Sequence, residues 1–228
     1  ARGSKSGGFS TEVTVPEDAE YDTEEADTAE LGVKMNLDDG AALLNLSLFY
    51  TEIDNFQIIS FNGTGFTTET VEAETKGVEL EGQWAVTPRF LLNASATYGD
   101  AEEEDTGQRL PYAPEWSASL SSHYEYPWDR ANLQWRIDGM VNYRDEQYMQ
   151  RSETSPDGAL TLIDLRIALA AANDAWEIAV VGRNLLDQNS SFGFDFPFFG
   201  GLVIPAGAAT MGSLMRPRTI ALQARYNF

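Results

Sequence analysis

Apolar and polar residues alternate with a period of two through most of this chain, most plainly in its last stretch. There Ile220, Leu222, Ala224, Tyr226 and Phe228 share one parity and Thr219, Ala221, Gln223, Arg225 and Asn227 the other. Side chains of a strand point alternately to opposite faces, so such a stretch has one apolar face and one mostly polar face. The pattern recurs upstream. Residues 29–37 read as a strand. In the next, Leu44, Leu46, Leu48 and Tyr50 alternate with Asn45, Ser47, Phe49 and Thr51, continuing through Phe56 and Ile58. Val78, Leu80, Gly82 and Trp84 then face away from Gly77, Glu79, Glu81 and Gln83. The alternation returns around Leu92–Tyr98, Trp116–Tyr124, Leu133–Arg144, Ile163–Leu169 and Trp176–Val180. With residues 1–9 read as the tail of a further strand, it predicts ten strands, the first of them incomplete.

The connections alternate too. Those near residues 38, 88, 128 and 173 are brief, and Asp38-Asp39-Gly40 has the residues that tolerate the positive φ of a tight turn. Those after Phe9, Ile59, Gly99, Gln150 and Asn189 are mostly longer. Short turns at one end and long loops at the other are the habit of membrane-spanning barrels. Trp84, Trp116, Trp128, Trp135 and Trp176 read as a belt on the short-turn side, with Tyr50, Tyr98 and Tyr143 toward the other end. The predicted fold is all-β: a transmembrane antiparallel up-and-down β-barrel with apolar faces toward lipid and polar faces toward the lumen. Two glutamates on one strand face, Glu79 and Glu81, would be costly in a dry core and cost little in a wet lumen.

Composition narrows the field. The chain has 228 residues, a net charge of −21, no Cys and a single His. Disulfide scaffolds, thiolate nucleophiles, Cys-based zinc sites and multi-His centres are thereby excluded. So is a spanning helix, because no stretch approaches the roughly 18 uninterrupted apolar residues it needs. The acidic excess argues against a nucleic-acid partner. From Thr11 to Glu30 there is no Lys or Arg, which predicts a long solvated loop, and Asp100–Asp105 predicts a second. No signal-peptide pattern opens the chain, so an exported protein would be processed or this stretch would begin late in it.

Several groups are candidates for chemistry. Inward Arg136, Arg144, Arg166, Arg183 and Arg225 are expected to pair with Glu79, Glu81, Asp138, Asp164 and Glu177. Phe192, Phe194, Phe196, Phe198 and Phe199 crowd one loop and could form an apolar platform for a ligand. Asp100, Glu102 and Glu104 are a weak Ca²⁺ candidate, lacking the order of an EF-hand loop. Ser121, His123 and Glu125 share a face. Same-face neighbours on a strand lie roughly 7 Å apart, too far for a nucleophile and its base, so no enzyme is predicted.

Ala1–Phe9, Glu30–Lys34, Lys76–Glu81, Gly182–Asp187 and Arg216–Thr219 running into Phe228 resemble, in order and spacing, the final portion of a TonB-dependent outer-membrane receptor. The resemblance covers essentially the whole chain. It implies that residues 1–228 form the C-terminal ten strands of a twenty-two-stranded barrel, with the plug domain and earlier strands not represented. It further implies a Gram-negative outer-membrane address, short turns at the periplasm and long loops outside. The implied activity is TonB-energised import of a scarce nutrient, foremost an iron–siderophore complex, with no cofactor. The implied partners are the lipid bilayer, the TonB complex acting through the plug, a small-molecule ligand such as a metal chelate, and the barrel-assembly machinery. For that machinery Tyr226 and Phe228 would be the C-terminal signal, while Glu79, Glu81, Arg136, Asp138, Arg166, Arg183 and Arg225 would face lumen and plug. Two other readings stay open: a complete ten-stranded barrel such as an outer-membrane protease, and a soluble β-rich adhesin or binding module.

Overall fold

The computed structural model describes residues 1–10, 19–61, 66–149, 156–195, 198–199, 202–203 and 210–228. Ten strands form one antiparallel sheet in chain order. They are β1 (Arg2–Lys5), β2 (Glu24–Leu37), β3 (Ala42–Phe61), β4 (Phe66–Thr87) and β5 (Phe90–Glu103), followed by β6 (Trp116–Trp128), β7 (Leu133–Arg144), β8 (Leu160–Ala171), β9 (Trp176–Arg183) and β10 (Thr219–Tyr226). Each strand pairs with its neighbours in sequence, so the sheet is a pure up-and-down meander. Its brief turns are closed by residues held at positive φ, among them Asp39 (51°), Asn132 (53°) and Asp174 (58°). All of these lie at one end. Among the described residues β1 pairs only with β2 and β10 only with β9, which leaves two open edges. A complete ten-stranded barrel would join them.

Register carries the apolar parity across the whole sheet. Leu31, Leu48, Val78, Tyr98 and Trp116 stand in one row, and Tyr124, Ile137, Ile167, Val180 and Leu222 in another. This face is bare: Leu31 is 68% exposed and Leu222 75%. The opposite, polar face is the enclosed one, with Ala168, Ala170, Ala179 and Glu177 buried. The inversion of a water-soluble core is what a wall with solvent inside and hydrocarbon outside requires.

Two expectations need correction. The stretch before Glu30 is strand from Glu24 onward, and β5 runs on to Glu103, so both acidic segments are partly paired rather than looped out. Cations supply the reason. Arg2 reaches Glu25 at 2.5 Å and Lys5 lies 3.8 Å from Glu24 across the β1–β2 pair, while Lys76 sits among Glu74, Asp100 and Glu102. Charged residues on both faces erase the period-two signal that would have revealed these strands. Second, Trp116 belongs to the long-loop belt, where its ring lies 4.9 Å from that of Tyr98. Trp116 to Tyr126, at about 3.3 Å per residue and a tilt of about 45°, spans roughly 24 Å, the height of an outer-membrane apolar band. At 20 and 22 residues, β3 and β4 are about twice the length needed to cross such a band, so they project well beyond the long-loop belt.

Gly77 pins this projection. A side chain there would run into the Tyr98 carbonyl oxygen and the Phe49 ring, which lies over the glycine on the polar face. Gly77→Ala is expected to cost about 1–3 kcal/mol, as overpacking against backbone does. At Gly82 the added methyl would meet Leu44 at an ordinary 3.5 Å, so Gly82→Ala should be near neutral. Denaturant midpoints of the two variants in detergent check the contrast.

Candidate functional site

The polar face of β6–β9 carries a continuous ion-pair network near the short turns. The Arg136 guanidinium donates to Glu177 at 3.1 Å and to Asp174 at 2.5 Å, and its Nε lies 3.4 Å from Glu125. Arg166 donates to Asp138 at 3.1 Å and to the other oxygen of Glu177 at 2.5 Å. Glu177, with only 9% of its side chain exposed, is therefore shared between two arginines. The expected pairing holds for these residues and not for the rest. Arg144 turns to Asp157 instead, and Asp164 accepts the backbone N–H of Asn184. Glu81 accepts from Asn45, because register sets Asn45 and Ser95 beside it, and Glu79 has Ser47 and Thr97. Arg225 stands opposite Glu177, whose oxygens are already taken. Neither Arg183 nor Arg225 has an ion-pair partner among the described residues, although both lie on the polar face.

His123 donates through Nδ1 to the Asp138 carboxylate at 2.6 Å, across the β6–β7 pair, and its Nε2 lies 3.6 Å from Glu125. Ser121 hydrogen-bonds to Asn93 instead. The histidine is thus flanked by carboxylates. Beside it a hollow of about 310 Å³ is lined by Asn93, Ser121, Asp138, Met140, Asp164, Arg166 and Arg183.

A latch missed in the sequence joins β9 to the start of β10. Asn184, at φ 50° and 7% exposed, donates through Nδ2 to the carbonyls of Gln188 (2.8 Å) and Arg216 (3.0 Å) and accepts from the Gln188 N–H (2.9 Å). Asp187 accepts the Arg218 N–H at 2.8 Å, and the Arg218 guanidinium donates to the Leu185 carbonyl. Two motifs roughly thirty residues apart in sequence therefore make one structure. A buried Asn beside a turn was the available signal. At the chain's end, the Tyr226 and Phe228 rings meet edge to face at 5.2 Å on the exposed side.

The long-loop rim is strongly acidic. A cavity of about 570 Å³ is lined by Glu20, Asp22, Glu69, Glu72, Glu103 and Asp105 together with Tyr21 and three threonines. On the outer side, above the level of Tyr98, the Lys76 ammonium holds Glu74 below the usual carboxylate range, helped by the Tyr50 hydroxyl. Glu104 is pushed up, by desolvation first and then by Glu74, Glu52, Glu72 and Asp105. Of the weak Ca²⁺ candidates, Asp100 and Glu102 both lie within 3.7 Å of Lys76. Among the described residues no group of three or more His, Asp or Glu is gathered to hold a metal ion. Phe192, Phe194, Phe198 and Phe199 fall in short strands, Ser191–Asp195 paired with Thr210–Leu214 and Phe198–Phe199 paired with Leu202–Val203. Their side chains, and Phe196 altogether, lie outside the described residues.

Comparison with known proteins agrees with this architecture. Residues 5–185 match the family model described as TonB dependent receptor-like, beta-barrel. The metal-pseudopaline receptor CntO of Pseudomonas aeruginosa PAO1 is 29% identical over 176 residues, 74% of this chain and 24% of that protein. The catecholate siderophore receptor Fiu of Escherichia coli UTI89 is 26% identical over 113 residues, 46% of this chain and 15% of Fiu. In fold, the chain is similar over its full length to 34% of the ferric yersiniabactin uptake receptor FyuA of Yersinia pestis, with a TM-score of 0.81 at 21% identity. The chain thus spans about a quarter or less of the length of these curated relatives. Matched over most of its length, and folded as an up-and-down wall with a bare apolar outside and a charged inside, it belongs to the TonB-dependent receptor β-barrel family.

Proposed function

We propose that residues 1–228 are the C-terminal wall of the barrel of an outer-membrane receptor that imports a metal chelate, energised by the TonB complex. The observation that carries this reading is the polar face. Shared ion pairs such as Arg136–Glu177–Arg166 call for a hydrated or protein-filled interior, not a lipid or dry one. In this reading further strands cover the open edges of β1 and β10 and close a barrel of twenty-two, since hydrocarbon tolerates no unpaired backbone edge. A plug domain occupies the interior, with Arg183 and Arg225 available to its carboxylates. Tyr226 and Phe228 present the assembly signal, and the lipid-facing rows sit in the outer membrane of a Gram-negative cell.

The cargo class follows from relatives whose names are receptors for metal-pseudopaline and catecholate siderophores, not enzymes. The phenylalanines of the 192–199 segment serve as the extracellular platform. The carboxylate-lined cavity favours complexes of low negative charge, because an anionic chelate would meet only like charge on that lining. The test is complementation. The full-length receptor, expressed in a Gram-negative host stripped of its own siderophore receptors, is supplied with a ferric tris-catecholate or with metal-pseudopaline under metal starvation. Growth that depends on both the receptor and a functional TonB is expected, with metal-pseudopaline the better of the two. Uptake that persists without TonB would mean a passive pore and would overturn the reading.

A further inference from the structure

We infer that Asp157 is a positioning residue that fixes the aromatic hairpin to the barrel wall. The proposal rests on the reading of that hairpin as the ligand platform and adds what holds it in place. Asp157 is 6% exposed, and its two carboxylate oxygens are divided between different parts of the molecule. One receives Arg144 Nη2 at 2.6 Å, from the last residue of β7 on its polar face. The other receives the Ser190 hydroxyl at 2.7 Å, in a bond that is itself buried. Ser190 is the residue immediately before the strand Ser191–Asp195, the first arm of the hairpin.

The surroundings make the wall side of this joint rigid. Pro156–Asp157 pairs as a short strand with Gln147–Tyr148, the Tyr112 N–H donates to the Tyr148 carbonyl at 2.8 Å, and Leu110 and Met149 are buried. Arg109 lies over the Tyr148 ring. The 104–115 connection is thereby tied to the segment that presents Asp157. Arg144 is further held by the Asp145 carbonyl at 3.1 Å. On the hairpin side, by contrast, the anchor among the described residues is the Ser190 hydroxyl. A neutral hydroxyl on a buried, arginine-paired carboxylate is the strong kind of hydrogen bond, and removing it leaves an acceptor oxygen away from water. This anchor can be cut without touching the wall, while the Asn184 latch to Gln188 and Arg216 still holds the root of the hairpin.

The chain contains no cysteine, so Ser213→Cys, on the second arm opposite Phe192, gives this segment a single site for a nitroxide label. In the full-length receptor in detergent, Ser190→Ala and Asp157→Ala are each expected to raise the mobile fraction of that label roughly tenfold, the population equivalent of one strong buried hydrogen bond. Heat-modifiable gel mobility reports that the barrel stays folded. Should Asp157→Ala fail to fold, Ser190→Ala carries the test, because it keeps the Arg144–Asp157 pair. A label as immobile in Ser190→Ala as in the parent overturns the anchor. The second readout is release of bound metal-pseudopaline by stopped flow, which a merely structural joint would not move. Faster release, roughly tenfold, together with a mobile hairpin supports the positioning role. A mobile hairpin with unchanged release overturns the platform reading while leaving the anchor in place.

Discussion

Replacing Glu177 by alanine is expected to destabilise the folded wall by about 3–5 kcal/mol, the cost of leaving two guanidinium groups enclosed without their shared partner. Arg136 and Arg166 both donate to it, and its side chain is only 9% exposed. Asp174, Glu125 and Asp138 would retain part of each arginine's pairing, which places the effect toward the lower end of that range. Tryptophan fluorescence during denaturant unfolding of the reconstituted receptor measures it, since Trp176 adjoins Glu177 on β9 and Trp135 adjoins Arg136 on β7. Substituting both arginines by methionine in the Glu177→Ala background should recover much of the loss, because uncharged side chains of similar length need no partner. Glu79→Ala serves as control. It stands opposite Ser47 and Thr97 without a cation, and its replacement should change stability by less than about 0.5 kcal/mol. Equal costs for Glu177 and Glu79 would show that the network contributes nothing.

The second large effect is expected at Asn184. Its amide makes three hydrogen bonds to backbone groups while 7% exposed, so Asn184→Ala strands two carbonyls and an N–H at once and should cost about 2–4 kcal/mol. Its positive φ adds strain that alanine tolerates less well. The loss should be local. The register of β10 against β9 is set by the eight pairs from Trp176–Tyr226 to Arg183–Thr219 and by this latch. A disulfide engineered at Val180→Cys and Leu222→Cys, which stand in register, reports the alignment directly. In Asn184→Ala its yield should fall and cross-links one pair out of register should appear. Undiminished in-register cross-linking would mean that the pairs alone set the alignment and the latch is dispensable. Because Asp187 holds the Arg218 N–H by a separate bond, Asp187→Ala should act in the same direction and more weakly.

Much of this wall could be read from the order of residues. An up-and-down barrel strand pairs with its chain neighbours and has only two faces, so a period of two, recurring from Ala29 to Phe228 and broken at turns such as Asp38-Asp39-Gly40 or Asn173-Asp174, already determines most of the strands and which side of each is apolar. The polar face of Arg136, Asp138, Arg166 and Glu177 follows from the same parity. Where charge sits on both parities, as in Glu24–Asp27 and Asp100–Glu103, the signal vanishes although the strand does not. For Trp116 parity gives the face and not the height; its pairing with Tyr98 sets the rim.

What the sequence determined by itself was therefore the set of strands, their two chemistries and the alternation of short turns with long loops, since each depends on near neighbours in the chain. Which carboxylate meets which arginine was decided by the stagger between adjacent strands, a quantity that composition and spacing do not contain. That stagger gives Glu177 to Arg136 and Arg166 and leaves Arg225 without an ion-pair partner among the described residues. The same holds for Asn184 with Arg216 and for Asp157 with Arg144 and Ser190: these contacts join segments that only folding brings together, and in the first a side chain satisfies backbone that has left the ladder.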